Sequence, residues 1–207
     1  MNDQISTLRD DIAFMRELAE EGRSPPLVGG LILVAAGVVF SLASLGHWTI
    51  AAGLVAESPW SYAAIWGTAT VLFLGFLVLF KAREASRPGA HAPGNRAAGM
   101  AWAGVGWGIM TLIVCLNLVC WRAQSLAPLM MIPSMVMILY GLGWSVAAVV
   151  SRQRWIWLVA VGSYLAAIVT AWFSASADVY LIYAGAIMLL ITVPGVVLMR
   201  QEPSLTV

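Results

Sequence analysis

The chain has 207 residues, of which 61% are hydrophobic and 10% are charged, and its mean hydropathy is +0.87. Soluble domains carry about 25% charged residues, so this composition excludes an ordinary soluble domain and also a disordered chain. The net charge is only +1, so the chain has no basic field for direct nucleic-acid binding.

Residues 1–26 differ from the rest of the chain because they are acidic, with six carboxylates against three arginines. Their apolar residues recur at steps of three and four, which predicts a cytoplasmic amphipathic helix with a narrow apolar seam. Pro25 and Pro26 end this helix. The seam would bind a soluble partner, fold back on the chain's own Arg83, Arg87, Arg152 and Arg154, or self-associate. The predicted partner-binding residues are Ile5, Leu8, Asp11, Ile12, Met15, Glu17 and Leu18.

Six later stretches reach the roughly 20 apolar residues that a membrane span needs. They are Leu27–Leu45, Ser61–Phe80, Ala98–Val119, Pro128–Val150, Ile156–Phe173 and Val179–Met199. Continuous apolar stretches of this length must be helices, because a helix satisfies its own backbone in lipid. The sequence therefore predicts an all-α, polytopic membrane bundle over residues 27–200, followed by a short cytoplasmic tail at 201–207. The apolar stretch Gly46–Trp60 is expected to lie in the membrane interface.

The distribution of Lys and Arg predicts the orientation of this bundle. With the N-terminus inside, ten of these residues lie on the inner side and only Arg122 lies outside, as the positive-inside rule requires. We expect both termini to be cytoplasmic. No cleavable signal peptide is expected, and a bacterial inner membrane is the simplest location, with membrane lipid around the bundle.

Small residues in the spans predict where helices approach one another closely. Gly37 with Ser41, and Gly141 with Ser145, are expected to pack within the bundle. Gly104 and Gly108 would do the same or would form a homodimer face. Two prolines, Pro133 and Pro194, fall inside predicted spans and are expected to kink them.

The predicted spans contain no Asp, Glu, Lys, Arg or His. Ion-coupled transport and most catalytic mechanisms need such groups at membrane depth, so neither an enzyme nor a cofactor or metal site is expected. His47 and His91 fall on opposite sides of the membrane and cannot share a ligand. Cys115 and Cys120 have neither a zinc nor a thioredoxin spacing and are expected to pack.

Aromatic residues within the spans either line an apolar cavity or only pack against one another. A cavity with a few polar tips is the usual form of a small-ligand site. The candidate lining residues are Trp66, Trp107, Asn117, Tyr140, Trp144, Tyr164 and Tyr183. We expect Asn117 to make an interhelical hydrogen bond.

The run Asp11–Arg23, followed by Pro26–Gly30, resembles the opening of a group of uncharacterised small bacterial inner-membrane proteins. These proteins have an acidic N-terminal helix and about six spans, and the resemblance covers roughly residues 11–30. It implies no enzymatic activity. Such proteins can accompany a small winged-helix transcription regulator, so the resemblance implies a regulator of this kind as the soluble partner.

These observations favour a non-enzymatic membrane regulator or anchor that binds a soluble cytoplasmic partner through its N-terminal helix and inner loops. An accessory subunit of a larger membrane complex is the first alternative. A small-molecule transporter without ion coupling is the second, and its only support comes from the two prolines and the internal aromatic residues.

Overall fold

The computed structural model describes residues 11–15, 26–58 and 60–202, which contain helices and no strand. Six of these helices are long and apolar enough to cross a membrane. They are α1 (Gly30–Ala51), α2 (Ser61–Ala85), α3 (Pro93–Ala123), α4 (Ile132–Ser151), α5 (Arg154–Trp172) and α6 (Val179–Gln201). The predicted all-α bundle of six spans is confirmed, and the fold is that of a multi-pass membrane protein.

Helix α1 is longer than the sequence predicts. It continues past the predicted end at Leu45 to Ala51, so the first part of the stretch predicted to lie in the interface is helical. Gly46 does not end the helix because it faces α2, where a Cβ at this position would lie 3.5 Å from the Ile65 side chain. Tertiary packing thus overrides the low helix propensity of glycine.

Two prolines lie where helices begin. Pro93 is the first residue of α3, which starts before the predicted boundary at Ala98. A 3₁₀ turn, Ala127–Met131, leads into α4, and Pro133 lies in the first turn of that helix. The prediction that Pro133 kinks a span from inside is therefore wrong. Proline is favoured in a first turn because the N–H that it lacks has no intrahelical partner there.

Pro194 does alter its helix. Residues Met188–Thr192 of α6 form a π-helical turn just before it. Proline has no N–H to donate to the carbonyl four residues earlier, which is that of Leu190. The indole Nε1 of Trp144, on α4, donates a hydrogen bond to this oxygen at 3.0 Å. The kink predicted at Pro194 is thus a π-helical turn. The carbonyl oxygen of Leu190, which Pro194 cannot bond, accepts a hydrogen bond from a neighbouring helix instead.

Helices α1 and α6 form the most extensive contact, and α4 and α5 form the next. The two least buried helices, α2 and α3, lie at the outside of the bundle, where α2 packs mainly on α1 and α3 on α4.

Small residues bring α1 and α6 into near-backbone contact. A Cβ at Gly30 would clash with the α6 backbone, and one at Gly37 would clash with Thr192. Ser41 Oγ donates a hydrogen bond to the carbonyl oxygen of Ala184 at 3.0 Å. The packing predicted for Gly37 and Ser41 is confirmed.

The contact between α4 and α5 also depends on a glycine. A Cβ at Gly141 would lie 2.5 Å from the ring of Tyr164, whose hydroxyl is 3.3 Å from Ser145 Oγ. Gly104 and Gly108, which were predicted to act together on α3, have different surroundings. Gly108 faces α4, whereas a Cβ at Gly104 would have no neighbouring atom within 4 Å.

Consecutive helices run in opposite directions, so the bundle has two ends. We call the end where α1, α3 and α5 begin the charged end, because Glu84, Arg87 and Glu202 meet there. We call the other end the aromatic end, because His47 lies there against aromatic side chains. Among the described residues, each end holds a cluster of polar contacts that joins α1, α2 and α6, with ionised side chains at the charged end and aromatic rings at the aromatic end.

Candidate functional site

The predicted partner-binding seam lies partly outside the described residues, since Ile5, Leu8, Glu17 and Leu18 are not among them. Residues 11–15 are described, helical and exposed. Within them, 63% of Ile12 and 70% of Met15 is exposed. Apolar side chains in this segment are therefore open to a binding partner.

The segment that joins this helix to α1 is held by a carboxylate from the far end of the chain. Oε1 of Glu202 accepts hydrogen bonds from the N–H groups of Gly29, at 2.9 Å, and Gly30, at 2.7 Å. The first N–H groups of a helix have no partner within the helix, so Glu202 caps α1 in place of a local side chain. Gly29 has a φ of +113°, which glycine adopts without steric cost.

Arg87, in the connection between α2 and α3, links two buried carboxylates. Its Nε lies 3.1 Å from Oε1 of Glu84, and its Nη2 lies 3.2 Å from Oε2 of Glu202. Glu84 and Glu202 are each less than a tenth exposed. Arg87 was one of the arginines expected to attract the acidic N-terminal helix, but these two carboxylates already bind it.

Asn95, in the first turn of α3, completes the grip on the joining segment. Its Oδ1 accepts a hydrogen bond from the N–H of Val28 at 3.1 Å, and its Nδ2 donates to the carbonyl oxygens of Pro26 and Gly89. Leu27 between them is buried in the core. We call the set Glu84, Arg87, Asn95 and Glu202 the linker clamp. It fixes the backbone of residues 26–30, at the start of α1 and directly before it.

Sequence reasoning missed the linker clamp. The available signal was that Glu84, Asn95 and Glu202 are polar residues directly beside apolar spans in a chain with few charges. Nothing local indicated that they meet.

The exposed basic side chains gather at the charged end. There they form no ion pair with another described residue. They are Lys81, Arg83, Arg96, Arg152, Arg154 and Arg200. The aromatic end exposes Arg122 together with Glu57 and Asp178. The two ends therefore differ strongly in surface charge.

The candidate cavity residues do not form one group. Tyr140, Trp144 and Tyr183 are buried in the core. The indole of Trp144 donates a hydrogen bond to the π-helical turn of α6. Trp107 is 75% exposed on α3. Asn117 is exposed on the same helix and donates to the carbonyl oxygen of Ile113, one turn earlier. The interhelical bond predicted for Asn117 is therefore wrong.

The other two candidate cavity residues also bond to neighbouring helices. Tyr164 packs over Gly141 with its hydroxyl near Ser145. Trp66, on α2, donates from Nε1 to Nδ1 of His47, on α1, at 3.0 Å. These are packing contacts. Packing was the alternative to a cavity that the sequence left open for these residues.

His47 is the centre of the aromatic end. Its ring stacks on Tyr180 of α6 at a centroid distance of 3.5 Å and lies 4.4 Å from the ring of Tyr62 on α2. An indole N–H can only donate, so the bond from Trp66 requires an unprotonated Nδ1 on His47. His47 is thus a half-buried packing residue that joins α1, α2 and α6.

No group of three or more potential metal ligands occurs among the described residues. Comparison with protein-family models, with curated proteins and with solved structures gave no match. The chemistry of the described residues is therefore the basis for proposing a function.

Proposed function

We propose that the protein is a non-enzymatic membrane anchor that holds a soluble cytoplasmic partner through its acidic N-terminal helix. The observation that carries the proposal is the exposure of Ile12, Phe14 and Met15, each more than 60% accessible. An amphipathic helix with an open apolar face is suited to dock in a groove of a partner protein. A small transcription regulator of the winged-helix type is the partner that the N-terminal resemblance favours.

The linker clamp supports this proposal because it engages Arg87, one of the four arginines on which the N-terminal helix could fold back. Arg87 is bound by Glu84 and Glu202, so folding back onto this arginine would have to compete with two buried carboxylates. The clamp also gives the helix a fixed point of departure at Gly29. A fixed exit reduces the conformational freedom that is lost on binding.

The orientation in this proposal places the charged end in the bacterial cytoplasm. Its support is the six exposed basic side chains at that end against one at the other, which is the asymmetry that topogenesis follows. A C-terminal fusion to green fluorescent protein is expected to fluoresce, and a C-terminal fusion to alkaline phosphatase is expected to be inactive. The reverse pair of results would contradict the orientation.

The partner proposal is tested with the full-length protein purified from its native host in mild detergent. Leu8→Asp with Ile12→Asp places two charges in the seam. The amount of soluble partner that co-purifies is expected to fall about tenfold or more, as for the loss of central apolar contacts in an interface. Ser6→Asp with Ala13→Asp is the matched control, because it adds the same charge on the opposite side of the helix.

Quantitative mass spectrometry of the co-purified proteins is the readout. Recovery of the same soluble partner from the seam variant and the wild-type protein would contradict the proposal. Gel filtration of both variants in detergent checks that the membrane bundle is intact.

A second candidate function is that of an accessory subunit in a larger membrane complex. It is favoured by the outward face of α3, where Gly99, Gly104 and Gly106 have no atom within 4 Å of a built Cβ. Helices associate closely in lipid at such small residues. Stoichiometric membrane proteins that co-purify with both N-terminal variants would favour this function over the first.

A further inference from the structure

The connection between α4 and α5 carries two arginines on an ordered turn. Arg152 has a φ of +56°, and Arg154 is the first residue of α5. Ser151 Oγ bonds to the carbonyl of the preceding helical turn and accepts from the N–H of Gln153. Gln153 Oε1 in turn accepts from Nε1 of Trp155 at 2.6 Å. The backbone that presents the two guanidinium groups is therefore tied down on both sides.

Both guanidinium groups are open. Arg152 and Arg154 are exposed and form no ion pair with a described residue. The carboxylates described at the charged end, Glu84 and Glu202, are buried and bound to Arg87. The turn therefore has positive charge that the described part of the protein does not neutralise.

An apolar stripe begins directly below Arg154. Positions 158, 161, 165 and 168 follow position 154 at steps of three and four, so they share one face of α5 with it. These side chains are Leu158, Val161, Leu165 and Ile168, with exposed fractions of 75%, 52%, 57% and 67%. Arg154 thus lies at one end of a lipid-facing surface, on the outer edge of the bundle.

Tryptophan marks the depth of this site. Trp157 is 46% exposed, and Trp155 lies beside it at the start of the helix. Tryptophan is enriched at the level of the lipid headgroups. The two arginines therefore lie at the level of lipid phosphates, while the stripe lies at the level of acyl chains.

We propose that this surface binds an anionic phospholipid, with the phosphate between Arg152 and Arg154 and an acyl chain along the exposed face of α5. The ligand must be both anionic and apolar, because the apolar stripe continues from Arg154, one of the two exposed arginines. Arginine forms paired hydrogen bonds with phosphate oxygens. An acidic protein segment would satisfy the arginines but would leave the stripe uncovered.

The test uses the full-length protein in detergent with added phosphatidylglycerol or phosphatidylcholine, and native mass spectrometry counts the lipids retained. Each basic side chain near a membrane surface favours anionic lipid by about fivefold, so two favour it by about thirtyfold. We expect this preference to fall about tenfold or more in Arg152→Gln with Arg154→Gln. Arg152→Lys with Arg154→Lys is expected to keep an intermediate preference, because the charge remains but the paired hydrogen bonds of the guanidinium groups are lost.

Lys81→Gln with Arg83→Gln is the matched control. It removes the same charge at the same spacing from the last turns of α2, where helix carbonyl groups disfavour a bound anion, whereas Arg154 begins α5, whose first N–H groups favour one. Both variants lose general attraction to anionic lipid, so the preference of this control for phosphatidylglycerol is expected to fall, but clearly less than that of the arginine variant. Added inorganic phosphate is not expected to displace the lipid, because it cannot cover the stripe.

Three results would overturn the proposal. They are equal retention of the two lipids by the wild-type protein, equal loss in the two glutamine variants, and displacement by inorganic phosphate at the lipid's concentration. Circular dichroism of each variant, with a helical signal equal to wild type, ensures that a loss of lipid is not a loss of fold.

Discussion

The charged end and the aromatic end join the same three helices by different means. At the charged end, Glu84, Arg87 and Glu202 combine ionised side chains with the first N–H groups of α1. At the aromatic end, His47 and its neighbours use stacked rings and one neutral hydrogen bond. Buried charges depend strongly on one another, because each becomes costly when its partner is removed. Stacked rings lose their contacts one at a time. A single substitution at the charged end should therefore remove most of the stability that its cluster contributes. A single substitution at the aromatic end should remove only a part.

Arg87→Ala provides the strongest test of this difference. It leaves Glu84 and Glu202 buried without their guanidinium, and breaking a buried ion pair costs about 3–5 kcal/mol. The free energy of unfolding, measured in mixed detergent micelles, is expected to fall by that amount. Arg83→Ala is the control, because Arg83 is exposed and forms no ion pair with a described residue, so its removal should change little. Equal effects of the two substitutions would show that the clamp is not a stabilising unit.

Glu202→Ala is expected to have the next largest effect. It removes the acceptor of the Gly29 and Gly30 N–H groups, and hydrogen bonds to a charged group contribute about 1.5–3 kcal/mol. Hydrogen exchange at Gly29 and Gly30 is expected to accelerate, since their N–H groups lose their acceptor. Gln201→Ala, at an exposed neighbouring position, should leave that exchange unchanged. Protection that survives the loss of Glu202 would mean that another group caps α1.

At the aromatic end, Trp66→Phe is expected to cost about 1 kcal/mol, the typical net contribution of one neutral hydrogen bond. The stacking of His47 on Tyr180 does not involve Trp66 and should persist. Trp60→Phe, at a position that is 76% exposed, is the control and should be silent. A loss from Trp66→Phe as large as that from Arg87→Ala would remove the distinction between the two ends.

The smallest effect is expected from Asp178→Ala. Asp178 Oδ1 accepts a hydrogen bond from Trp48 Nε1 at 3.2 Å, but both atoms are exposed. Surface substitutions of this kind usually change stability by less than about 0.5 kcal/mol. A thermal unfolding midpoint that drops clearly would indicate that this contact is more protected than its exposure shows.

The sequence was sufficient for the helices and insufficient for the clusters at their ends. Long apolar stretches are a local signal, and lipid permits few solutions for the backbone of such a stretch. Gly37 and Gly141 were also predictable, because small residues mark close approach. The linker clamp was not, since Glu202 meets Gly30 across 172 residues and no periodicity relates such distant positions. Asn117 shows the opposite failure, because a polar residue in a span bonded to its own helix.

Helix lengths were predicted less well than their number. The sequence rule for α1 stopped at a glycine that the structure packs against α2, and the rule for Pro133 overlooked a helix start. Both errors concern what a residue contacts, which composition does not contain. For the candidate site, Ile12 and Met15 are exposed, and Arg87, one of the four arginines expected to attract the seam, is bound by two carboxylates.

The capping of α1 by Glu202 has a consequence for synthesis. At about 5–20 residues per second, the 172 residues between Gly30 and Glu202 take roughly 10–35 s to emerge. During that interval the start of α1 has no carboxylate from α6, and Arg87 has only one of its two acidic partners. We expect a chain that stops before residue 202 to expose the joining segment to proteases, which pulse-labelling of a truncated chain would reveal. Glu202, which follows α6 directly, thus completes the start of α1 only after α6 has been synthesised.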